Sequence, residues 1–277
     1  MLPIALSIAG SDPSAGAGIQ ADLQTFQSHA VRGTTVVTLL TVQNTRGVKR
    51  VELVSPELVA EQLNALLSDL PPAAAKTGAL GSAGQVQAIA SCFATLRAPL
   101  VIDPVVTSTS GAPLLDEAGV RALREQLLPL CALVTPNLQE AARLAGRELR
   151  DDASTETIVD AARAIADLGA RAVLVKGGHR AGAPVDVLYS EGVTHVLTGA
   201  RVADMAGAGA RAWHGLGCAL SAAIAARLAR GASLLEACQG AKRWLTRALE
   251  HAPDLGSRRA SVDHAEPVTG VRRRPER

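Results

Sequence analysis

The sequence has very few aromatic residues. Phe, Trp and Tyr together make up 2% of the 277 residues, whereas hydrophobic residues as a whole make up 48%. The core must therefore be built mainly from Ala, Leu and Val, and its packing is sensitive to small changes of volume. The length suits one large α/β domain, because such folds often exceed the average domain size.

The sequence also has few cysteines and a small net charge. The four cysteines, Cys92, Cys131, Cys218 and Cys238, form no CxxC pair and no cluster with zinc-site spacing. We therefore expect a reduced, cytoplasmic protein. The 28 basic and 26 acidic residues give a formal charge of +2. Such a balanced charge does not indicate a nucleic-acid partner.

No apolar run is long enough for a membrane span. The N-terminal run in "MLPIALSIAGSDP" has no basic residue before it and stops at Asp12. We therefore expect neither a signal peptide nor a membrane partner.

Short apolar runs alternate with helical patterns along the chain. Between the runs lie segments such as "SPELVAEQLNALLSDL", where Ser55 can cap a helix and Pro56 suits its first position. This alternation predicts βα units on a mostly parallel sheet with helices on its faces. The predicted strands are 4–9, 34–42, 100–102, 132–134 and 172–175.

The C-terminal third has a different pattern. Residues 185–189 and 193–197 predict a hairpin attached to the sheet, and residues 218–230 and 233–251 predict two closing helices. We assign one domain to residues 1–255. The rest, 256–277, is basic and lacks periodicity, so we expect a poorly ordered tail.

Polar residues follow the predicted strands at their carboxyl ends. In an open parallel sheet, ligands bind at this edge. Acids, amides and a lysine that converge there are typical of a site for a phosphorylated ligand. They include Gly10, Ser11, Asp12, Gln43, Asn44, Lys76, Thr77, Asp103, Thr135, Asn137, Lys176, Gly177, Gly178 and His179.

The segment "GAGIQA", residues 16–21, matches a dinucleotide-binding pattern. Such a fold needs an acidic residue at the end of the next strand, to hold the ribose hydroxyls, but that strand ends in Gln43 and Asn44. The pattern alone is therefore a weak indication of a nicotinamide cofactor.

The segment "HGLGC" is a stronger candidate for anion binding. Gly215 and Gly217 leave backbone N–H groups free at the start of a helix, where they can hold the charge on a transferred phosphoryl group. Cys218 lies in the first turn, where the helix dipole lowers the pKa of a thiol, so it is a candidate base. The alternative is a small buried cysteine with a structural role.

The segment "TPNLQEA" is a candidate metal site. Asn137 and Glu140 lie three residues apart at the start of a helix, and Asp103 follows a neighbouring strand. Oxygen ligands of this kind suit Mg²⁺ with several waters. The alternative is that Thr135 or Asn137 caps the helix and Glu140 complements its dipole. Lys176 can pair with a nucleotide phosphate.

Together these motifs resemble the hydroxymethylpyrimidine and phosphomethylpyrimidine kinases of thiamin synthesis, in the ribokinase superfamily. The resemblance runs from about Leu2 to Leu249. It rests on "ALSIAGSDPSAGAGIQADLQTF", "TLLTVQNTRGV", "KTGALGS", "VIDPVVTSTSGAPLL", "LVTPNLQEAARL", "VLVKGGH" and "HGLGCALSAAIAARLARG".

The resemblance implies a three-layer ribokinase-like fold and a Mg-ATP-dependent kinase that acts as a homodimer. Its substrates would be 4-amino-5-hydroxymethyl-2-methylpyrimidine and the monophosphate of that compound. It implies that Gly10, Asp22 and Gln43 bind the pyrimidine, with Asp22 near the hydroxymethyl group. It also implies that Asp103 and Glu140 organise Mg²⁺, that Asn137 and Lys176 serve ATP, and that Cys218 takes the place of the base.

The chain departs from the family pattern around the "HGLGC" turn. Trp213 and Leu216 replace two threonines, and a second glycine-rich turn at 204–210 carries Ala210 where related kinases have an aspartate. Because Cys218 lies thirteen residues before Gly231, as the family base does before its glycine, we assign the anion site to "HGLGC". The replacements leave open a kinase-like protein that binds the pyrimidine without turnover. Ala79, where the family usually has methionine, leaves open another small alcohol such as pyridoxal.

Overall fold

The computed structural model describes residues 2–108, 110–178, 184–200, 202, 212–253 and 259–268. Eleven strands lie within these ranges. They are β1 (Ile4–Ser11), β2 (Arg32–Asn44), β3 (Gly47–Leu53), β4 (Ala74–Thr77), β5 (Leu100–Ile102), β6 (Leu133–Val134), β7 (Ala172–Val175), β8 (Val185–Ser190), β9 (Val193–Thr198), β10 (Ala212–Trp213) and β11 (Arg259–Ala260).

The described residues also contain eight α-helices. A π-helical turn and a 3₁₀ turn, 123–130, follow the fourth of them. The helices are α1 (Gly18–Ser28), α2 (Pro56–Asp69), α3 (Ala83–Phe93), α4 (Glu117–Ala122), α5 (Leu138–Ala145), α6 (Thr155–Ala166), α7 (Leu216–Ala229) and α8 (Leu234–Glu250).

Nine of the described strands form one sheet in the order β3-β2-β1-β4-β5-β6-β7-β8-β9. Neighbours from β2 to β7 pair in parallel, and β3, β8 and β9 add antiparallel edges. The parallel strands therefore bring their carboxyl ends to one edge of the sheet, as the alternating pattern predicts.

Two hydrophobic layers cover the sheet. Alternate residues of β1 point to opposite faces, so Leu6 and Ile8 join one layer with α2, α3 and α6. Ala5 joins the other layer, which contains α1, α7 and α8. The three-layer α/β fold is therefore confirmed.

The fold differs from the sequence prediction mainly in its short elements. The long strands and the two closing helices lie within a few residues of their expected positions. The pattern misses β3, which is half-exposed, and it marks β4 only as a short run near Ala73. It misses β10 and β11 entirely, because two-residue strands carry no periodicity.

Part of the expected tail is ordered. Val262 and Val268 are buried in the α7 and α8 layer, and the Trp244 indole donates a hydrogen bond to the carbonyl of Glu266 over 2.9 Å. The disordered-tail prediction is therefore wrong for residues 259–268. The strongly basic end, 269–277, lies outside the described residues.

The loop between β1 and α1 contains a strained alanine. Ala15 has a φ of 58°, in the left-handed region that costs an L-residue about 1–2 kcal/mol. We expect Ala15→Gly to raise the free energy of unfolding by about 0.5–1 kcal/mol, because the relief exceeds the added freedom of the unfolded chain. Urea denaturation measures this change.

The matched control for this prediction is Ala65→Gly. Ala65 is exposed in the interior of α2, where the backbone is helical, so glycine relieves no strain there and should lower stability by about 1 kcal/mol. Equal effects of the two substitutions would contradict the assignment of strain to Ala15.

Of the helices in the described part of the chain, none combines the length and the apolar character that crossing a lipid bilayer requires.

Candidate active site

A cavity of about 520 Å³ opens at the carboxyl ends of the parallel strands. It lies where the sequence places the site, and nine of the ten predicted site residues line it. They are Gly10, Gln43, Asp103, Asn137, Glu140, Lys176, Gly215, Gly217 and Cys218.

The "HGLGC" turn forms the middle of the cavity wall. Gly215 is the N-cap of α7 with a φ of 82°, and a Cβ there would lie 1.8 Å from the carbonyl oxygen of Gly16. Only glycine fits this conformation and this contact. The first N–H groups of α7 have no partner within the helix, so they are available to an anion. The upstream turn, 204–210, lies outside the described residues.

Cys218 lies between the starts of two helices. The backbone N–H of Gly18, at the start of α1, donates a hydrogen bond to its sulfur. Burial nevertheless raises the pKa of the thiol to about 11, although the nearby Lys76 ammonium lowers it. The expectation that the helix dipole gives a low pKa is therefore wrong: desolvation of the thiolate outweighs the dipole.

Asp103, Glu140 and Lys176 form a charged cluster beside the turn. The Lys176 ammonium lies 2.9 Å from a carboxylate oxygen of Asp103 and 3.9 Å from one of Glu140. Burial raises the pKa of Glu140 to about 7, in spite of Lys176. Burial would lower the pKa of Lys176, but the two carboxylates raise it. The cluster therefore holds one cation between two carboxylates at the cavity wall.

Asn137 and Glu140 also cap α5. The Asn137 side chain accepts from the backbone N–H of Glu140, and the Glu140 carboxylate accepts from that of Asn137, each over 2.8 Å. Both residues line the cavity as well. The capping alternative is therefore confirmed. The two capping hydrogen bonds also hold both side chains in position at the cavity wall.

Within the described residues, no group of three or more His, Cys, Asp or Glu side chains could hold a metal ion alone. The pair Asp103 and Glu140 still fits Mg²⁺, because this ion is commonly bound by one or two carboxylates together with water and substrate phosphates.

Asp22 is not among the residues that line the cavity. It is fully buried, and its two oxygens lie 2.9 and 2.8 Å from the Lys76 ammonium, while Ser7 donates a third bond over 2.5 Å. Asp22 is therefore paired with Lys76 and does not itself line the cavity, but its charge raises the pKa of the cavity-lining Cys218, and its place near the hydroxymethyl group stays a prediction. Ser7 and Lys76 are register partners on β1 and β4, so the sheet itself brings Lys76 to Asp22 on α1.

Two further ion pairs line the cavity, and of their four residues the sequence pattern places only Asp12 at this edge of the sheet. His214 lies 2.8 Å from the Asp12 carboxylate, and Lys242 lies 2.5 Å from that of Asp186. Asp186 also accepts from the backbone N–H of Gly177, next to Lys176. The sequence shows that Asp186 lies on the hairpin and Lys242 on α8, but their spacing gives no reason to expect that they pair.

The residues that depart from the family pattern also line the cavity. Trp213, Leu216 and Ala79 all contribute to its wall. The donors at the helix start are backbone groups, so the loss of two threonine hydroxyls leaves them in place.

Gly217 is close to the charged cluster. A Cβ there would lie 3.0 Å from the Lys176 ammonium and 3.4 Å from an oxygen of Asp103. We expect Gly217→Ala to lower kcat by about tenfold to a hundredfold, because displaced charges no longer match the transition state. Steady-state kinetics measures this loss.

Thermal unfolding is the control for Gly217→Ala. Alanine is the better helix former, so Tm should not fall by more than a few degrees. A large fall in Tm that accompanies the loss of kcat would mean that the substitution damages the fold instead.

A mostly parallel sheet between helical layers, with a helix start and a lysine–carboxylate cluster at one cavity, defines a small-molecule kinase with a ribokinase-like fold. The comparisons with known proteins identify the family. Residues 12–263 match the phosphomethylpyrimidine kinase family, to which the chain belongs.

Curated relatives agree with this assignment. A hydroxymethylpyrimidine/phosphomethylpyrimidine kinase from Synechococcus elongatus is 46% identical over 269 residues, which cover 96% of this chain and 99% of the relative. A hydroxymethylpyrimidine/phosphomethylpyrimidine kinase from Rhizobium meliloti is 46% identical over 267 residues, which cover 95% of this chain and 97% of the relative.

Solved structures share the fold. The ADP complex of Bacillus subtilis pyridoxal kinase is 33% identical, with a TM-score of 0.85 and coverage of 96% of this chain and 98% of that one. Phosphomethylpyrimidine kinase from Clostridium difficile is 35% identical, with a TM-score of 0.76. The match covers 89% of this chain and 99% of that one.

Proposed function

We propose that the protein transfers the γ-phosphoryl group of ATP to the hydroxymethyl oxygen of 4-amino-5-hydroxymethyl-2-methylpyrimidine and then phosphorylates the resulting monophosphate. The observation that carries this proposal is that nine of the predicted site residues line one cavity. The high identity to relatives named for this activity supports it.

The two substrates take opposite ends of the cavity. Gly10 and Gln43 would bind the pyrimidine at the β1 and β2 end, whereas Lys176 and Asn137 would face the ATP phosphates at the β6 and β7 end. The start of α7 lies between the two groups. ADP complexes of neighbouring pyridoxal kinases support nucleotide binding at such a site.

Asp103 and Glu140 would hold Mg²⁺. When bound, the ion neutralises phosphate oxygens and helps to orient them. Lys176, between the same carboxylates, would exchange part of its pairing with Asp103 for a phosphate oxygen.

The first transfer needs one proton acceptor and one anion site, whereas in the second transfer a phosphate oxygen of the monophosphate forms the bond to the γ-phosphorus and no hydroxyl proton is moved. A bond forms between the hydroxymethyl oxygen and the γ-phosphorus, the bond to the leaving ADP oxygen breaks, and the hydroxyl proton passes to the Cys218 thiolate. The N–H groups of Gly217 and Cys218 stabilise the charge on the transferred group. Catalysis of this type consists mainly of positioning and electrostatics.

The pyridoxal alternative is not favoured. The solved pyridoxal kinases are 32–33% identical to this chain, below the 35–46% of the pyrimidine kinases. From the family resemblance we also propose a cytoplasmic homodimer.

The test is ADP release by the purified protein with Mg-ATP. We expect release that depends on the hydroxymethylpyrimidine and on its monophosphate, with pyridoxal at least tenfold less efficient in kcat/KM. A Lys176→Met control should lose most of the release. Binding of the pyrimidine without ADP release would instead support a kinase-like binding protein.

A further inference from the structure

Asp12, His214 and Gln43 form a hydrogen-bonded group on the pyrimidine side of the cavity. The Nε2 atom of His214 lies 2.8 Å from Oδ2 of Asp12 and 3.4 Å from the side-chain nitrogen of Gln43. All three residues line the cavity. Within the described residues the Gln43 amide has no other hydrogen bond, so its contact with His214 is the interaction that orients it.

The Asp12 carboxylate decides where the His214 proton lies. Burial would raise the pKa of Asp12, but hydrogen bonds from His214 and Ser14 lower it to about 2. Its oxygens also accept from the backbone N–H groups of Ser14 and Ala17, over 2.8 and 2.9 Å. An ionised carboxylate only accepts hydrogen bonds. The proton must therefore be on Nε2 of His214, which donates it to Asp12.

This proton determines how the Gln43 amide can be oriented. A protonated Nε2 has no lone pair, so it cannot accept from the Gln43 NH₂ group. The oxygen and nitrogen of an amide have nearly the same shape, and a half-turn about the last bond exchanges them. The favourable arrangement therefore has the Gln43 carbonyl toward His214 and its NH₂ group toward the cavity.

We infer that Asp12 and His214 are positioning residues that fix Gln43 as a hydrogen-bond donor, so that the site selects a ring with an acceptor nitrogen at this position. The inference rests on the proposed function, whose substrate is a pyrimidine with two ring nitrogens. Backbone contacts hold the group in place. The backbone N–H of His214 donates to the carbonyl of Ala260 over 2.9 Å, and the imidazole packs on Gly16, where a Cβ would lie 2.7 Å from the ring.

The experiment compares the pyrimidine with its two pyridine analogues, in each of which one ring nitrogen is replaced by C–H. Calorimetry gives Kd for each ligand with the wild-type protein. We expect one analogue to bind at least tenfold more weakly, because it leaves the NH₂ group of Gln43 without an acceptor. In the His214→Ala variant the Gln43 amide can turn. The ratio of the Kd of this analogue to the Kd of the pyrimidine should then fall to about threefold or less.

Two further variants separate positioning from a structural effect. His214→Gln keeps a donor for Asp12 and should restore the ratio. Gln43→Glu removes the donor itself and should abolish the ratio, even if His214→Ala does not fold. Because the same ligands are compared in every variant, differences in ligand basicity cancel.

Thr41→Val is the matched control. Thr41 lines the same cavity, but its hydroxyl donates to the carbonyl of Ser11 and does not contact Gln43. This variant should change the affinity for all three ligands equally.

An unchanged ratio in His214→Ala and Gln43→Glu would overturn the inference alone. Equal binding of all three ligands by the wild-type protein would do the same. A wild-type protein that binds ATP but not the pyrimidine would overturn the proposed function, and the inference with it.

Discussion

Replacement of Cys218 by alanine should lower kcat by about a thousandfold, because a positioned base contributes about a hundredfold to ten-thousandfold. The sulfur lies at the start of α7, with the N–H of Gly18 directed at it, and it lines the cavity between the two proposed substrate positions. Steady-state kinetics measures the loss. Calorimetry should give a Kd for the pyrimidine within threefold of the wild-type value, since Gln43 and Gly10 remain.

The pH dependence distinguishes a base from a residue that merely fills space. Since burial raises the pKa of the Cys218 thiol to about 11, its thiolate fraction increases about tenfold per pH unit below that value. We expect kcat/KM to rise with pH between 6 and 9. Cys218→Asp should recover part of the activity with a flatter profile, because a carboxylate is ionised across most of this range. A wild-type profile that is flat in this range would exclude the thiolate as the base.

The second large effect concerns stability. Asp22→Asn should lower the free energy of unfolding by about 3–5 kcal/mol, because it leaves the Lys76 ammonium buried without a counter-ion. Burial would lower the pKa of Lys76, but Asp22 raises it, so the lysine is charged in the wild-type protein. Urea denaturation monitored by circular dichroism measures the change.

The double variant Asp22→Asn/Lys76→Met tests whether the cost comes from the unpaired charge. We expect it to be more stable than Asp22→Asn alone, because the methionine carries no charge and fits the space of the lysine stem. If the double variant loses as much stability as Asp22→Asn and Lys76→Met lose together when measured separately, the ion pair is not the cause.

The sequence predicts the fold well where periodicity is strong. The strands β5 and β7 are continuous apolar runs, β1 and β2 are rich in apolar and β-branched residues, and Gly231 and Ser233 mark the end of α7 and the start of α8. The ordered segment after residue 258 could not be predicted, because its contacts with α8 and β10 are made by single residues such as Trp244 and Val262.

The sequence also locates the site but not its internal pairings. Residues at the ends of parallel strands meet by topology, so Asp103, Lys176 and Gln43 could be placed together before the structure was known. The pairing of Asp22 with Lys76 could not be predicted, because a motif does not show which way a helical side chain points. The pKa of Cys218 was misjudged because the helix dipole can be inferred from spacing, whereas desolvation depends on the complete packing.

The most direct test of the account is identification of the product. The protein is incubated with Mg-ATP and the hydroxymethylpyrimidine, and mass spectrometry with ³¹P NMR follows the pyrimidine over time. We expect a pyrimidine monophosphate first and a pyrophosphate later, both absent from Cys218→Ala on the same timescale. An unchanged pyrimidine alongside hydrolysed ATP, or equal product from the Cys218→Ala variant, would contradict it.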